Sequence, residues 1–262
     1  MHHTLSESVI IKTVSEDAKK GVFEIEGLYK GYGITVGNTL RRVLLSSLPG
    51  AAATHIKIKG INHEFTTIPN VMEDVVEIAL NVKRIRFRSY TAAPHVLHLA
   101  AKGETEVTAA DIYTDAEIDI LNPEAHICTL TAKSAELDME ITVEHGMGYE
   151  PIEARKAEKL PVGVVALDAF YSPVIAVNFT VQTMRVGERA DYNRVLISIE
   201  TDSSITPSEA LKKALDIMVD HFGKISAPLS VLPVAPLVAA KKMKTKAKKS
   251  AKGGSVSGGK EK

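Results

Sequence analysis

Cys128 is the single cysteine, and it follows His126 in "AHICTLTA". Residues two apart on a strand share a face, so the thiol and the imidazole could meet there. An imidazole that takes the thiol proton makes a nucleophile, but catalysis also needs oxyanion donors and a third group to orient the ring. Neither is readable nearby, and the pattern favours a buried structural cysteine. His95 and His98 stand in a strand pattern, "HVLHLA", with no cysteine or carboxylate beside them in sequence, which argues against zinc. "GMGYEP", Gly146 to Pro151, contains Gly-x-Gly but lacks the third glycine and the following helix of a dinucleotide loop, so it reads as a turn. There is no Gly-Lys-Ser/Thr phosphate loop and no DxDxD carboxylate cluster for magnesium. The expectation is no catalytic residue, no metal and no cofactor on this chain. That leaves two adjacent guanidinium groups, Arg41 and Arg42, whose chemistry is recognition of carboxylates and carbonyls.

Both arginines lie in "GITVGNTLRRVLLSSLPG", Gly33 to Gly50, which reads as a helix capped by Thr35 and ended by Pro49-Gly50. At 100° per residue, Val43, Leu40, Leu44, Leu48 and Leu45 cover an arc of about 200°. A helix lying on one core needs roughly half of that. Arg41 falls inside the arc, so its stem should pack and its head should find a carboxylate or carbonyl. Arg42 points away from the core, and the wheel alone makes it a solvated surface residue.

A second helix fits "PNVMEDVVEIALNVK", with Met72, Val75, Val76, Ala79 and Leu80 at helical spacing, acids early and Lys83 late. A third fits "ITPSEALKKALDIMVDHFG". There Thr206 and Glu209 form a capping-box pair, Pro207 suits the first helical position and Gly223 suits the stop. Ala210, Leu211, Ala214, Leu215, Ile217, Met218, Val219 and Phe222 leave little of it polar. A symmetric dimer would satisfy both over-apolar helices; cover by long loops is the alternative.

Alternating stretches at 54–60, 84–89, 95–100, 135–144, 175–186 and 194–201 read as half-buried strands. Many strands with few helices imply an α+β fold with mostly antiparallel sheets.

The chain has 262 residues, 45% hydrophobic and 24% charged, enough for one large domain or two smaller ones. No apolar run approaches the roughly 20 residues of a membrane span, and the N-terminus lacks a basic head followed by an apolar core. With one cysteine no intrachain disulfide can form, and a cytosolic compartment is expected. Residues 241–262 hold nine lysines and one glutamate, about +8, so in this neutral chain the remainder carries about −8. That tail should be disordered, serving as a solubilising appendage or attracting a polyanion such as nucleic acid. "SAPLSVLPVAPLV", Ser226 to Val238, should be an extended connector.

"GYGITVGNTLRRVLLSSLPG", followed by "HEFTTIPNVMEDVVEIALNVK", closely resembles the N-terminal half of the α subunits of bacterial-type DNA-directed RNA polymerase. "VTAADI", "GMGYEP", "DAFYSPV" and "NFTVQTMRVGERADYNRVLISIETDSSITPSEAL" match in order, so the likeness runs from about Lys12 to Phe222. The resemblance implies a dimerisation subdomain, 1–50 with 174–235, an inserted mostly antiparallel α+β subdomain, 51–173, and a Lys-rich tail, 236–262. It implies a non-catalytic homodimer that scaffolds the β and β′ subunits, in a bacterial cytoplasm or plastid stroma. The implied dimer interface uses Val36, Leu40, Leu44, Leu48, Leu211, Leu215, Met218 and Phe222. Docking of β is assigned to Arg42, with Arg41 and Ser46, and β′ to Tyr171, Ser172, Pro173 and Val174. The family normally continues into a small helical DNA-binding domain; here the lysine-rich run stands where its linker would begin, which leaves DNA contact indirect or through the tail. An enzyme using Cys128 with a histidine and a nucleic-acid-binding protein acting through the tail are the competing readings.

Overall fold

The computed structural model describes residues 9–155, 161–186 and 189–229. Along the chain come β1 (Ile10–Glu16), β2 (Lys20–Leu28), α1 (Tyr32–Ser46), β3 (Pro49–Ile58) and α2 (Val75–Val82). Next are β4 (Phe87–Ser89), β5 (His95–Lys102), β6 (Thr105–Thr108), β7 (Ile112–Tyr113), β8 (Ile118–Ile120) and β9 (His126–Leu130). Then follow β10 (Glu136–Met147), β11 (Tyr149–Glu150), β12 (Val164–Ala166), β13 (Ala169–Phe170), β14 (Val174–Val186), β15 (Arg189–Thr201) and α3 (Pro207–Leu229). The described residues through Gly223 form one compact unit; the end of α3 from Lys224 belongs to a second.

Two principal sheets organise the first unit, and the fold is α+β with antiparallel pairing. One sheet has four strands in the order β1-β2-β15-β14. Period-two alternation turns Phe23 and Ile25 of β2 and Val195, Ile197 and Ile199 of β15 to one face, where Leu40, Leu44 and Leu48 of α1 cover them. The other sheet has seven strands, β7-β5-β10-β3-β4-β8 with β12 on β3. Its inner face, including Ile56, Leu97, Leu99, Met139 and Ile141, packs on Val75, Ile78 and Val82 of α2. Lys57–Glu140 and Lys59–Asp138 pairs mark its solvated face.

Helix α1 sits unusually close to its sheet. A Cβ on Gly37 would lie 2.5 Å from the Phe179 ring, so only glycine fits there. The helix starts at Tyr32, three residues before Thr35, and Thr35 does not cap it. Gly31 precedes it at φ 85°, a left-handed conformation open to glycine. The N-terminal donors go to a distant side chain: Asn193 Oδ1 accepts from Gly31 N–H at 2.8 Å and from Gly33 N–H at 3.4 Å.

The other helices also differ from the spacing-based bounds. α2 starts only at Val75, because Asp74 Oδ1 accepts from Glu77 N–H at 2.7 Å and sets the boundary. Met72 is therefore outside the helix and exposed, and the buried stripe is Val75, Ile78, Ala79 and Val82. The capping box of α3 forms as expected: Thr206 and Glu209 exchange hydrogen bonds at 3.3 Å each. Gly223 does not stop it. The helix runs on to Leu229, since one glycine costs only about 1 kcal/mol in a helix interior. Ser226–Leu229, expected as extended connector, are thus helical, while 230–238 and the lysine-rich tail lie outside the described residues.

Candidate protein-docking surface

The apolar arc of α1 is divided between its own protomer and the outside. Leu40, Leu44 and Leu48 are each 0% exposed, sealed against the four-stranded sheet, and Leu211 of α3 is 3% exposed in the same core. Leu40, Leu44 and Leu48 therefore have no accessible surface in the protomer and serve its core, while Leu211, nearly buried, still lines a groove. What stays open is the flank: Val36, Val43 and Leu45 are half-buried, as are Ile217 and Met218. Leu215 is 37% exposed and Phe222 61%, with Val219 exposed beside them.

These residues border two apolar grooves. One, of about 220 Å³, lies between the helices and is lined by Thr39, Val43, Ser47, Ile217, Met218, His221 and Phe222. The other, of about 200 Å³, lies between α3 and the first hairpin, against Ile11, Thr13, Phe23, Leu211 and Leu215. β1 itself is exposed along its whole length, with Ile10, Ile11 and Val14 uncovered on a sheet edge. An apolar helix flanked by apolar grooves and an open strand edge is a protein-binding surface in chemical character.

The arginines part company as the wheel indicated. Arg41 Nε donates to the Val177 carbonyl at 3.2 Å, although the residue is more exposed than its position in the arc suggested. Arg42 is exposed, and among the described residues its guanidinium has no hydrogen-bond or ion-pair partner. Ser46 Oγ donates to the Arg42 carbonyl at 2.8 Å and is itself exposed. The end of α1 is bordered by the turn at Gly148 (φ 67°), where a Cβ would lie 3.0 Å from the Ser46 carbonyl. Next to that turn, Met147 and Tyr149 are exposed, and Tyr149 pairs with Phe170 across β11 and β13. Position and spacing did not single out these apolar groups, although the aromatics of "GMGYEP" and "DAFYSPV" were visible in the sequence.

Tyr171, Ser172, Pro173 and Val174 are all buried, Tyr171 at 4% exposure. This stretch connects β13 to β14; Tyr171 packs with Ala52 and Ala169, and Val174 enters the core of the four-stranded sheet. Tyr171 N–H donates to the Gly148 carbonyl at 2.9 Å and its hydroxyl to Glu150 Oε2 at 3.3 Å. In the protomer these side chains are covered, while Phe170 and Ile175, on either side, are exposed.

A third groove, of about 230 Å³, lies on the seven-stranded unit beside α2, with Phe65, Val76, Leu80 and Leu167 in its lining. Lys83 and Asp168 pair across it at 3.0 Å. The ammonium, with the Ile152 N–H, holds the Asp168 carboxyl below the usual carboxylate range.

The nucleophile constellation is not assembled. Cys128 is fully buried, and burial, with the charges of Glu73 and Asp111, pushes its thiol up to about 12. His126 turns instead to two carboxylates, Nε2 to Glu73 at 2.9 Å and Nδ1 to Glu106 at 3.0 Å. Its hydrogen bond to Glu73, joined by the one to Glu106, raises its pKa against the effect of burial. His95 does have carboxylates near it in space, Glu117 at 3.5 Å and Asp115 at 4.0 Å, brought from a loop distant in sequence. Among the described residues no group of three or more His, Cys, Asp or Glu is placed to hold a metal ion. No helix among them is long and apolar enough to cross a membrane.

Residues 56–172 match the family described as the RNA polymerase Rpb3/RpoA insert domain. The chain is 47% identical over 215 residues to the DNA-directed RNA polymerase subunit alpha of Symbiobacterium thermophilum, covering 82% of this chain and 67% of that protein. It is 47% identical over 205 residues to the namesake from Moorella thermoacetica, covering 78% of this chain and 65% of the relative. It is 48% identical over 211 residues to that of Roseiflexus sp., covering 80% and 65%. The chain thus spans about two thirds of the length of these relatives.

Proposed function

This chain belongs to the family of DNA-directed RNA polymerase α subunits, and on that basis we propose that it is a non-catalytic scaffold. Two copies join through α1, α3 and the first hairpin, and the dimer carries the large β and β′ subunits that perform nucleotidyl transfer. The four-stranded sheet with its helices, 1–50 with 174–235, is the dimerisation subdomain, and 51–173 is the inserted one. The cytoplasm is the compartment proposed.

The observation that carries the reading is the apolar face of α3 between two grooves. A lone protomer leaves Phe222, Val219 and Leu215 in water; a second copy applied about a two-fold axis removes the same surface from both. Arg42 adds a docking point away from that face. A guanidinium already bound within its own chain would have to break those bonds first; Arg42 has none to break among the described residues. The exposed Met147, Tyr149 and Phe170 near the end of α1 supply an apolar surround, the arrangement of a charged anchor within a drier rim.

The test is assembly by weight. The purified chain should sediment as a dimer, capture β alone, and then capture β′ only after β. A chain that stays monomeric at high concentration, or a dimer that takes up neither large subunit, would sink this reading.

A further inference from the structure

One side chain of the seven-stranded sheet reaches out to the turn that launches α3. Arg88 is on β4, next to Phe87, which is buried in the core of that sheet. Its Nη2 donates to the Ser203 carbonyl at 2.6 Å and its Nε to the Ser204 carbonyl at 2.9 Å. Both oxygens belong to the link between β15 and α3. Ser203 stands at φ 76°, which a residue with a Cβ rarely adopts, and its hydroxyl is buried without a hydrogen-bond partner among the described residues. Two carbonyls held in one planar fork fix the two peptide planes that follow that strained residue, one on each side of Ser204.

The rest of the turn is tied to the four-stranded unit. Asp202 N–H donates to the Pro173 carbonyl at 3.0 Å, Asp202 Oδ1 accepts the Ser204 N–H at 2.9 Å, and Ser208 N–H donates to Glu16 Oε1 at 2.9 Å. Arg88 is therefore a tie that comes from the other sheet. We infer that Arg88 is a positioning residue that sets, from the inserted sheet, the angle at which α3 leaves β15, and with it the fit of the dimer face. The inference rests on the dimer reading for its functional half. Its lever arm is long: at 1.5 Å per residue, a tilt of about 10° at Pro207 displaces Phe222 by about 4 Å. A displacement of that size unseats an aromatic side chain from a packed interface.

Arg88→Met removes both donors while keeping a long apolar stem. Hydrogen exchange at the amides of Ser204, Glu209 and Ala210, which are bonded within the turn and the first turn of α3, should quicken roughly tenfold, since hydrogen bonds from charged donors are the strong ones. Exchange along β10 should not change. The dimer dissociation constant should rise by a similar factor. Arg88→Lys, whose ammonium is a point donor rather than a fork, should fall between. Exchange in the turn unchanged within twofold overturns the inference, and so does an unchanged dimer constant beside faster exchange. If the wild-type chain never dimerises, the dimer reading fails on its own, while the exchange measurement still judges what Arg88 does to the turn. Should Arg88→Met not fold, Arg88→Lys carries the same two measurements.

Discussion

The Asn193 carboxamide caps helix α1 from across the sheet: its Oδ1 lies 2.8 Å from the Gly31 N–H and 3.4 Å from the Gly33 N–H. A donor left open at a helix start is normally met by a serine, threonine or aspartate one step upstream. Here that acceptor comes from β15, and the bond pins helix to sheet as well as ending the helix. Asn193→Ala should lower stability by about 1 kcal/mol, the usual value of an N-cap, and Asn193→Asp, which keeps the acceptor, by less. Urea midpoints of the two variants measure it, and equal losses would show that the carboxamide is not acting as a cap.

Gly37→Ala reverses a familiar rule. In an exposed helix the change gains about 1 kcal/mol. Against the Phe179 ring, 2.5 Å from the new Cβ, overpacking costs about 1–3 kcal/mol, so the net change should be destabilising. A higher melting temperature for the variant would show that the ring moves aside freely.

Leu44→Glu and Phe222→Glu should fail in different ways. Leu44 is fully buried in its protomer, and an unpaired carboxylate there costs several kcal/mol, enough to lose the fold. Phe222 is mostly exposed, so its glutamate variant should fold with native circular dichroism and sediment as a monomer. A dimeric Phe222→Glu would remove α3 from the interface.

The Glu73–His126–Glu106 cluster should make local stability depend on pH in one direction above neutrality. Both ring nitrogens face carboxylates, so both must carry protons, and the pKa is raised above 6.5, chiefly by the bond to Glu73. A raised histidine stabilises fully below its unfolded value, and the contribution is lost as pH rises through the folded one. On Glu73 burial opposes the charge, but the Thr129 N–H and the His126 ring outweigh it and hold the carboxyl below its ordinary range. That contribution is present above the ordinary carboxylate value and lost as pH falls through the depressed one. The stability gap between wild type and His126→Gln should therefore narrow as pH rises above the ordinary histidine value of 6.5. A gap that stays constant, or widens, would mean the ring is not charged in the fold.

Arg42→Ala should leave the dimer intact and weaken capture of β, because its guanidinium lacks an internal partner among the described residues. Co-purification with β measures this, and undiminished capture would move the docking point elsewhere.

What could be read in advance was whatever a local pattern determines. The capping box of α3 needs only Thr206 and Glu209, three residues apart, and it formed. The excess apolar arc on α1 was legible too, but not its division. Spacing cannot tell which leucines face the chain's own sheet, and Leu40, Leu44 and Leu48 proved to be wholly inside. β1 gave no readable alternation because all its residues are exposed. Thr35 looked like a cap because the acceptor that displaced it, Asn193, lies far along the sequence. Tyr171 to Val174 were named only through the family resemblance, and their burial, with Tyr171 packed beside Ala52 and Ala169, depends on residues far away in sequence. The surface near the end of α1 was likewise split among α1, β10, β11 and β13, which no window of sequence brings together.

β2 pairs with β15, so that Leu28 faces Asn193 and Lys20 faces Glu200. A ribosome makes the two halves of that pairing at opposite ends of its task. The inserted sheet, whose strands lie between residues 49 and 166, can close while β14 and β15 are still unmade. The first hairpin and α1 must wait for them with their oily faces uncovered. A polypeptide truncated before Thr201 would thus carry a finished insert and no completed central sheet for α1 to rest on, so the proposed dimer would form only after β15 has been made.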